Sequence, residues 1–179
     1  MAEICQYKRA WRWEDGSVDF VSVLEGSEGW RVSGRHGNQL YRVTADASFM
    51  CQSVRVTLGK TSGNRDFSFV REAGGWRNDD GALVPNSINA LDIDLSWSAL
   101  TNSFPIRRMS AQGQTTADFD VLMIAPELGV SVVKQTYTRE GDRWHYQNHN
   151  SAFSARLTVD KQGLVTDYPG VCRATEIPS

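Results

Sequence analysis

CQYKRAWRW (residues 5–13), EDG (14–16) and SVDFVSVL (17–24) run on without a break, and their reading decides the fold. Tyr7, Trp11 and Trp13 fall two apart and share one face of an extended strand. Glu14-Asp15-Gly16 is the chemistry of a tight turn, with a glycine for the positive φ such turns need. Val18 and Phe20 then alternate with Ser17 and Asp19, which predicts a second strand with Val18, Phe20 and Leu24 toward the core. Two strands joined by so short a link pair antiparallel.

The same grammar continues along the chain. Trp30 and Val32, Tyr41 and Val43, Val54 to Leu58, Phe67 and Phe69, and Trp76 repeat the period of two. So do Phe119 to Met123, Val130 to Arg139, Trp144 and Tyr146, Phe153 to Val159, and Leu164 to Tyr168. Asp79-Asp80-Gly81, Glu140-Gly141-Asp142 and Asp160-Lys161-Gln162-Gly163 punctuate them as hairpin turns, and Gly59 to Gly63 reads as a loop. The 16 Val against 11 Leu and the 18 aromatic residues also favour strands over helices. About a dozen strands in one meander must curl, because open twisted sheets rarely exceed ~10 strands. The expected fold is all-β: a highly curled antiparallel sheet, a half-barrel or incomplete barrel. One segment, Ser96 to Met109 (SWSALTNSFPIRRM), breaks the period and predicts a short helix or plug. Ser98 is the expected cap, and Pro105 the expected stop or turn. Residues 1–179 read as one domain, a length that buries roughly 70% of the unfolded surface.

Composition narrows the function. A net charge of −2 and a pI near 5.9 argue against phosphate neutralisation, so no nucleic-acid partner is expected. No apolar run approaches the ~18 residues of a membrane helix. MAEICQYKRAW holds no apolar segment, so neither a secretory signal nor a lipoprotein cysteine at Cys5 is expected. Cys5, Cys51 and Cys172 read as free thiols in a reducing compartment, which predicts a cytoplasmic protein. His145 and His149 fall in a strand and its following turn and should not converge, so no metal is expected, and no motif implies a cofactor. Neither Gly-Lys-Thr at 59–61 nor Gly34-Arg-His-Gly37 has the context of a phosphate loop. No local signature marks a Ser/His or Cys/His nucleophile, and no catalytic residue is assigned.

The carboxylates carry more chemistry. In ALDIDLSW (90–97), Asp92 and Asp94 share a strand face opposite Ile93 and Leu95, separated by roughly 6.5–7 Å. Asp118 and Asp120 repeat the arrangement around Phe119. A pair aimed into a concavity would accept hydrogen bonds from ligand hydroxyls. The spacing also overlaps that of inverting glycosidases, which leaves open an enzyme acting on a sugar or lipid ester through the paired aspartates. Arg outnumbers Lys by 15 to 4, and Arg107 or Arg108 should turn inward to pair with an aspartate or an anionic head group. Tyr137, Tyr146 and Tyr168 offer flat rings with polar tips. Trp97 and Asn102 lie in the plug-bearing segment. Asp92, Asp94, Trp97, Asn102, Arg107, Arg108, Tyr137, Tyr146 and Tyr168 are the nine candidate ligand contacts. An incompletely closed sheet leaves edges that a second copy would cover, so a homodimer is expected.

LDIDLSWSALTNSFPIRRM (91–109), KQTYTREGDRWHYQN (134–148) and FSARLTVDKQGLVTDYPGVCRA (153–174) together resemble a bacterial glycolipid-binding family. The Thr-Asn-Ser-Phe-Pro-Ile-Arg-Arg run and the Asp-Tyr-Pro-Gly ending are the most specific pieces. The N-terminal half fits more loosely, through Trp11 and the stretch from Tyr41. The resemblance implies a fold similar to LolA/LolB-type lipoprotein-localisation carriers, with a curled sheet enclosing a ligand-sized, acidic pocket. It also implies binding of a glycolipid or other amphipathic ligand, in glycolipid or cell-envelope metabolism. Many members of the family have Trp where this chain has Cys172, which implies a missing aromatic contact there. A cytoplasmic protein would not share the carriers' periplasmic task.

Overall fold

The structure is a computed structural model, described for residues 4–61, 63–127 and 129–177. Met1 to Glu3, at the head of the stretch searched for a signal, and Ser62, in the Gly59–Gly63 loop, lie outside the described residues. The first half runs β1 (Cys5–Trp13), β2 (Val18–Gly26), β3 (Gly29–His36), β4 (Gln39–Ala45), β5 (Cys51–Leu58), β6 (Arg65–Glu72), β7 (Gly75–Asn78) and β8 (Ala90–Leu95). A turn of 3-10 helix, Ala99–Asn102, leads into α1 (Ser103–Ala111). The second half runs β9 (Thr116–Ile124), β10 (Val130–Glu140), β11 (Arg143–Asn148), β12 (Phe153–Val159), β13 (Val165–Tyr168) and β14 (Cys172–Thr175).

All fourteen strands form one sheet, nearly closed into a barrel, in the order β7-β6-β5-β4-β3-β2-β1-β14-β13-β12-β11-β10-β9-β8. Two meanders are therefore joined where the first and last strands pair, with Trp11 opposite Ala174 and Trp13 opposite Cys172. Sequential strands pair antiparallel, as the hairpin links require. The exception is β8 with β9, which lie parallel because the helical crossover carries the chain back to the end at which β8 began. No ladder joins β7 to β8. The seam is bridged instead by Trp76, whose indole N–H donates to Ala90 O at 2.8 Å and whose backbone N–H donates to Ser87 Oγ at 2.8 Å.

The face expected inward on β2 points outward. Asp19, Val21 and Val23 are buried, while Phe20 is half-buried and Leu24 exposed. Residues 18–24 are apolar on both faces, so alternation alone does not choose between them. The register does: Val23 pairs with Val32 and Val21 with Gly34, both on the strand whose Trp30 and Val32 line the interior.

The helical segment fills the barrel. Leu100, Phe104, Ile106 and Met109 are all at most 1% exposed, and the Phe104 ring meets Trp30 edge-on at 5.8 Å. Trp11 closes the packing from β1 and donates its indole N–H to Val165 O at 2.8 Å. Pro105 neither ends the helix nor turns the chain. It occupies the third position of α1, in the first turn, where its missing N–H costs no intrahelical bond. Ser98 precedes the 3-10 turn but makes no side-chain cap; its hydroxyl is used elsewhere. Among the described residues no helix is long and apolar enough to cross a membrane. Cys5 is exposed, and Cys51 and Cys172 are buried free thiols.

Candidate functional site

With α1 filling the barrel, cavities lie at its ends. Two buried polar clusters tie the plug to the wall. In one, Asp92 on β8 meets Arg108 on α1: Nη1 donates to Oδ1 at 2.9 Å and Nη2 donates to Oδ2. Arg108 also donates to Phe49 O at 2.9 Å and lies over the Phe119 ring. Burial pushes the Asp92 carboxyl up from its ordinary pKa, and Arg108 opposes this. Burial lowers the Arg108 pKa, but the hydrogen bond and charge of Asp92 leave it raised. A guanidinium does not deprotonate, so the bidentate geometry fixes an ion pair.

In the other cluster, Asp19 accepts Tyr41 Oη at 2.8 and 2.9 Å and Ser98 Oγ at 2.6 Å. Among the described residues no cation pairs with it, and burial lifts its pKa to about 6 against the pull of these hydrogen bonds. Tyr41 reaches Asp19 by lying across Gly34, where a Cβ would stand 2.1 Å from the ring.

The end of the barrel beside the 3-10 turn holds a cavity of about 460 Å³. Asp94 and Asn102 line it from the plug side, Tyr146 and Asn148 from β11, and Tyr168 from β13. Its rim includes Trp13, Glu14 and Asp15 with the adjacent Val171, whose carbonyl accepts the Glu14 N–H at 3.1 Å, and Met123 from β9. Asp94 Oδ2 accepts Gln135 Nε2 at 2.7 Å, and Oδ1 is 3.4 Å from Thr101 Oγ1. Part of its surface is open to the cavity, yet the enclosing protein raises its pKa above the usual carboxylate value. Tyr146 and Tyr168 pack at 6.1 Å, nearly perpendicular, and burial raises both phenol pKa values. Glu14, Asp15 and Asp94 are the charged groups among the lining residues, and no Lys or Arg is among them. The rim is braced by His36, which donates from Nδ1 to Trp97 O at 2.8 Å. Its Nε2 lies 2.9 Å from Ser17 Oγ, which is 2.5 Å from Asp15 Oδ1.

Of the nine candidate contacts, the structure brings Asp94, Asn102, Tyr146 and Tyr168 to this cavity. Tyr137 stands one layer behind, donating to Asn102 Oδ1 at 2.8 Å with its ring 5.2 Å from Tyr146. Trp97 is buried, its carbonyl holding His36. Asp92 and Arg108 lie in the core. Arg107 is at the opposite end, where it donates to Glu25 Oε1 at 2.6 Å and Gln162 O at 3.0 Å beside the Trp30 and Phe49 rings. Asp118 accepts Thr136 Oγ1 at an exposed site.

Several lining residues escaped the sequence reading. Glu14 and Asp15 were legible only as turn residues, and Asn148 only as a strand end. Asp19 was read as a solvent-facing alternate. Its one available signal is the apolar content of both faces of β2, which removes the reason to place it outside. His149 Nε2 contacts Thr136 Oγ1 at 2.7 Å, while His145 Nδ1 is 3.7 Å from Glu140. Among the described residues no three potential metal ligands cluster.

Residues 10–174 match the family described as "Putative glycolipid-binding". Among solved structures, the chain is similar to a crystal structure at 1.80 Å resolution of a DUF1089 family protein from Pseudomonas aeruginosa. The two share 31% identity and a TM-score of 0.68, over 96% of this chain and 91% of that one. No curated protein matches the chain. With the match running from β1 to β14, the chain belongs to this family.

Proposed function

We propose that the protein binds, without catalysis, the head group of a glycolipid or related amphipathic molecule in the end cavity. The observation that carries this reading is the convergence there of a partly desolvated carboxylate, two amide side chains and two tyrosines. Carboxylate and amide oxygens accept from sugar hydroxyls, and the phenol rings supply flat apolar faces. With Glu14, Asp15 and Asp94 as the charged lining groups, the cavity suits uncharged or cationic sugars and disfavours sulfated or phosphorylated ones. The interior is occupied by α1, so the acyl portion leaves the cavity across its rim, where Met123 and Val171 are apolar lining residues. The paired-aspartate enzyme reading loses its second carboxylate, because Asp92 is locked to Arg108 in the core. A cytoplasmic place in glycolipid or cell-envelope metabolism fits such a binder.

Calorimetric titration with n-octyl β-D-glucoside below its micellar concentration tests the reading. Saturable binding is expected, weakened at least tenfold by Asp94→Ala and by Tyr146→Ala. Equal binding by both variants and the unmodified protein would remove the cavity from the account.

A further inference from the structure

The outer face of β1–β5 carries a row of residues that folding does not explain. Across five neighbouring strands the register aligns Lys8, Ser22, Ser33, Arg42 and Arg55 side by side. At the spacing of paired strands this row runs about 19 Å along the sheet. The next row places Phe20, Arg35 and Leu40 beside it. Lys8, Arg35, Arg42 and Arg55 are all exposed, and so is Leu40, at 50%. Arg55 is paired with Asp66 at 2.6 Å. Among the described residues, Lys8, Arg35 and Arg42 form no ion pair. Arg42 stands directly opposite Arg55, an arrangement of like charges that disfavours strand pairing.

The relief of this face matches its charge. Because Ser22 and Ser33 in the middle of the row are small, two depressions of about 310 and 320 Å³ meet over Ser33 and the backbone of Gly34. Arg42 and Leu40 border one, and Lys8, Phe20 and Arg35 border the other. Cations thus flank a pair of serine hydroxyls along a trough, with apolar side chains next to them. The whole chain carries a net charge of −2, so this strip concentrates positive charge on one face of a molecule that is acidic overall and would favour that face toward a negative surface.

We propose that this strip docks the protein onto the surface of an anionic lipid bilayer. Lipid phosphates would meet Lys8, Arg35 and Arg42, and Leu40 and Phe20 would rest against the interfacial region. A bilayer accounts for the apolar residues between the cations, which a purely electrostatic partner would leave unused. The strip is separate from the end cavity, and the proposal stands or falls independently of what that cavity binds.

Co-sedimentation of the full chain with vesicles tests it. Mixed phosphatidylglycerol–phosphatidylcholine vesicles should bring the protein down, and pure phosphatidylcholine vesicles should not. Each cation removed should weaken binding about fivefold, so Arg35→Ser with Arg42→Ser should weaken it about 25-fold. Asp94→Ala should leave vesicle binding unchanged, which separates this proposal from the cavity reading. Millimolar inorganic phosphate should compete poorly, because a single ion does not span the strip. Equal binding to neutral vesicles, full competition by phosphate, a preference for duplex DNA, or no effect of the double variant would each overturn the proposal. If the double variant does not fold, salt titration of the unmodified protein decides. Binding should fall steeply above ~0.15 M salt, where the Debye length drops to about 8 Å, and salt-insensitive binding would overturn it.

Discussion

Asp19 is a carboxylate held in the core by hydroxyl donors alone, and its chemistry has a readable consequence. Its pKa is about 6 in the folded chain against an ordinary value of 3.8. The folded state therefore holds a proton that the unfolded state has lost. The stabilisation is fully present below pH ~4, and it disappears as pH rises through about 6. About two units correspond to about 3 kcal/mol. Urea denaturation at pH 4.5 and pH 7 should show the unmodified protein losing stability relative to Asp19→Asn, with the difference flat above pH ~7. Asp92 makes the contrasting case. Arg108→Ala would strand its charge in the core and should lower stability by about 3–5 kcal/mol in denaturant melts. Replacing the pair together, Asp92→Leu with Arg108→Met, should recover most of that loss. The sequence made the pairing of an inward arginine with an aspartate legible, but not its place. Spacing puts Asp92 and Asp94 on one strand face and cannot say that one meets α1 while the other, two residues on, meets a cavity.

At the scale of elements, strands were legible because each repeats a period of two between turns of known chemistry. What stayed hidden was which face pointed inward when both were apolar, as on β2, and which single residue set a close approach. Gly34 is such a residue. It permits the Tyr41 ring to cross the neighbouring strand and reach Asp19 and Ser98. Gly34→Ala should cost about 1–3 kcal/mol in thermal melts by forcing that ring aside. A loss below 0.5 kcal/mol would show that the ring is free to move. The plug was legible as the one segment without strand period. The role of Pro105 was not, because a proline stops a helix from its interior and is tolerated in its first turn. The parallel pairing of β8 and β9 follows from that same crossover, and no local pattern announces it.

Across the whole molecule, among the described residues, the two meanders share a strand ladder only through β1 and β14, so pairing of these two strands joins them into one sheet. That closure brings Trp13 and Asp15, from the first hairpin, against Tyr168 and Val171 near the C-terminus, and the end cavity exists because of it. Curling was legible from strand number. The cavity's position was not, since it depends on how far α1 fills the barrel. The central claim is that this end of the barrel receives a sugar head group. The most direct measurement is amide NMR of the uniformly labelled protein titrated with n-octyl β-D-glucoside below micelle formation, with n-octanol as control. The account predicts saturable shifts, specific to the glucoside, clustered at Asp15, Asp94, Asn102, Tyr146, Asn148 and Tyr168. Shifts confined to the opposite end around Arg107 and Trp144, or identical shifts with octanol, would contradict it.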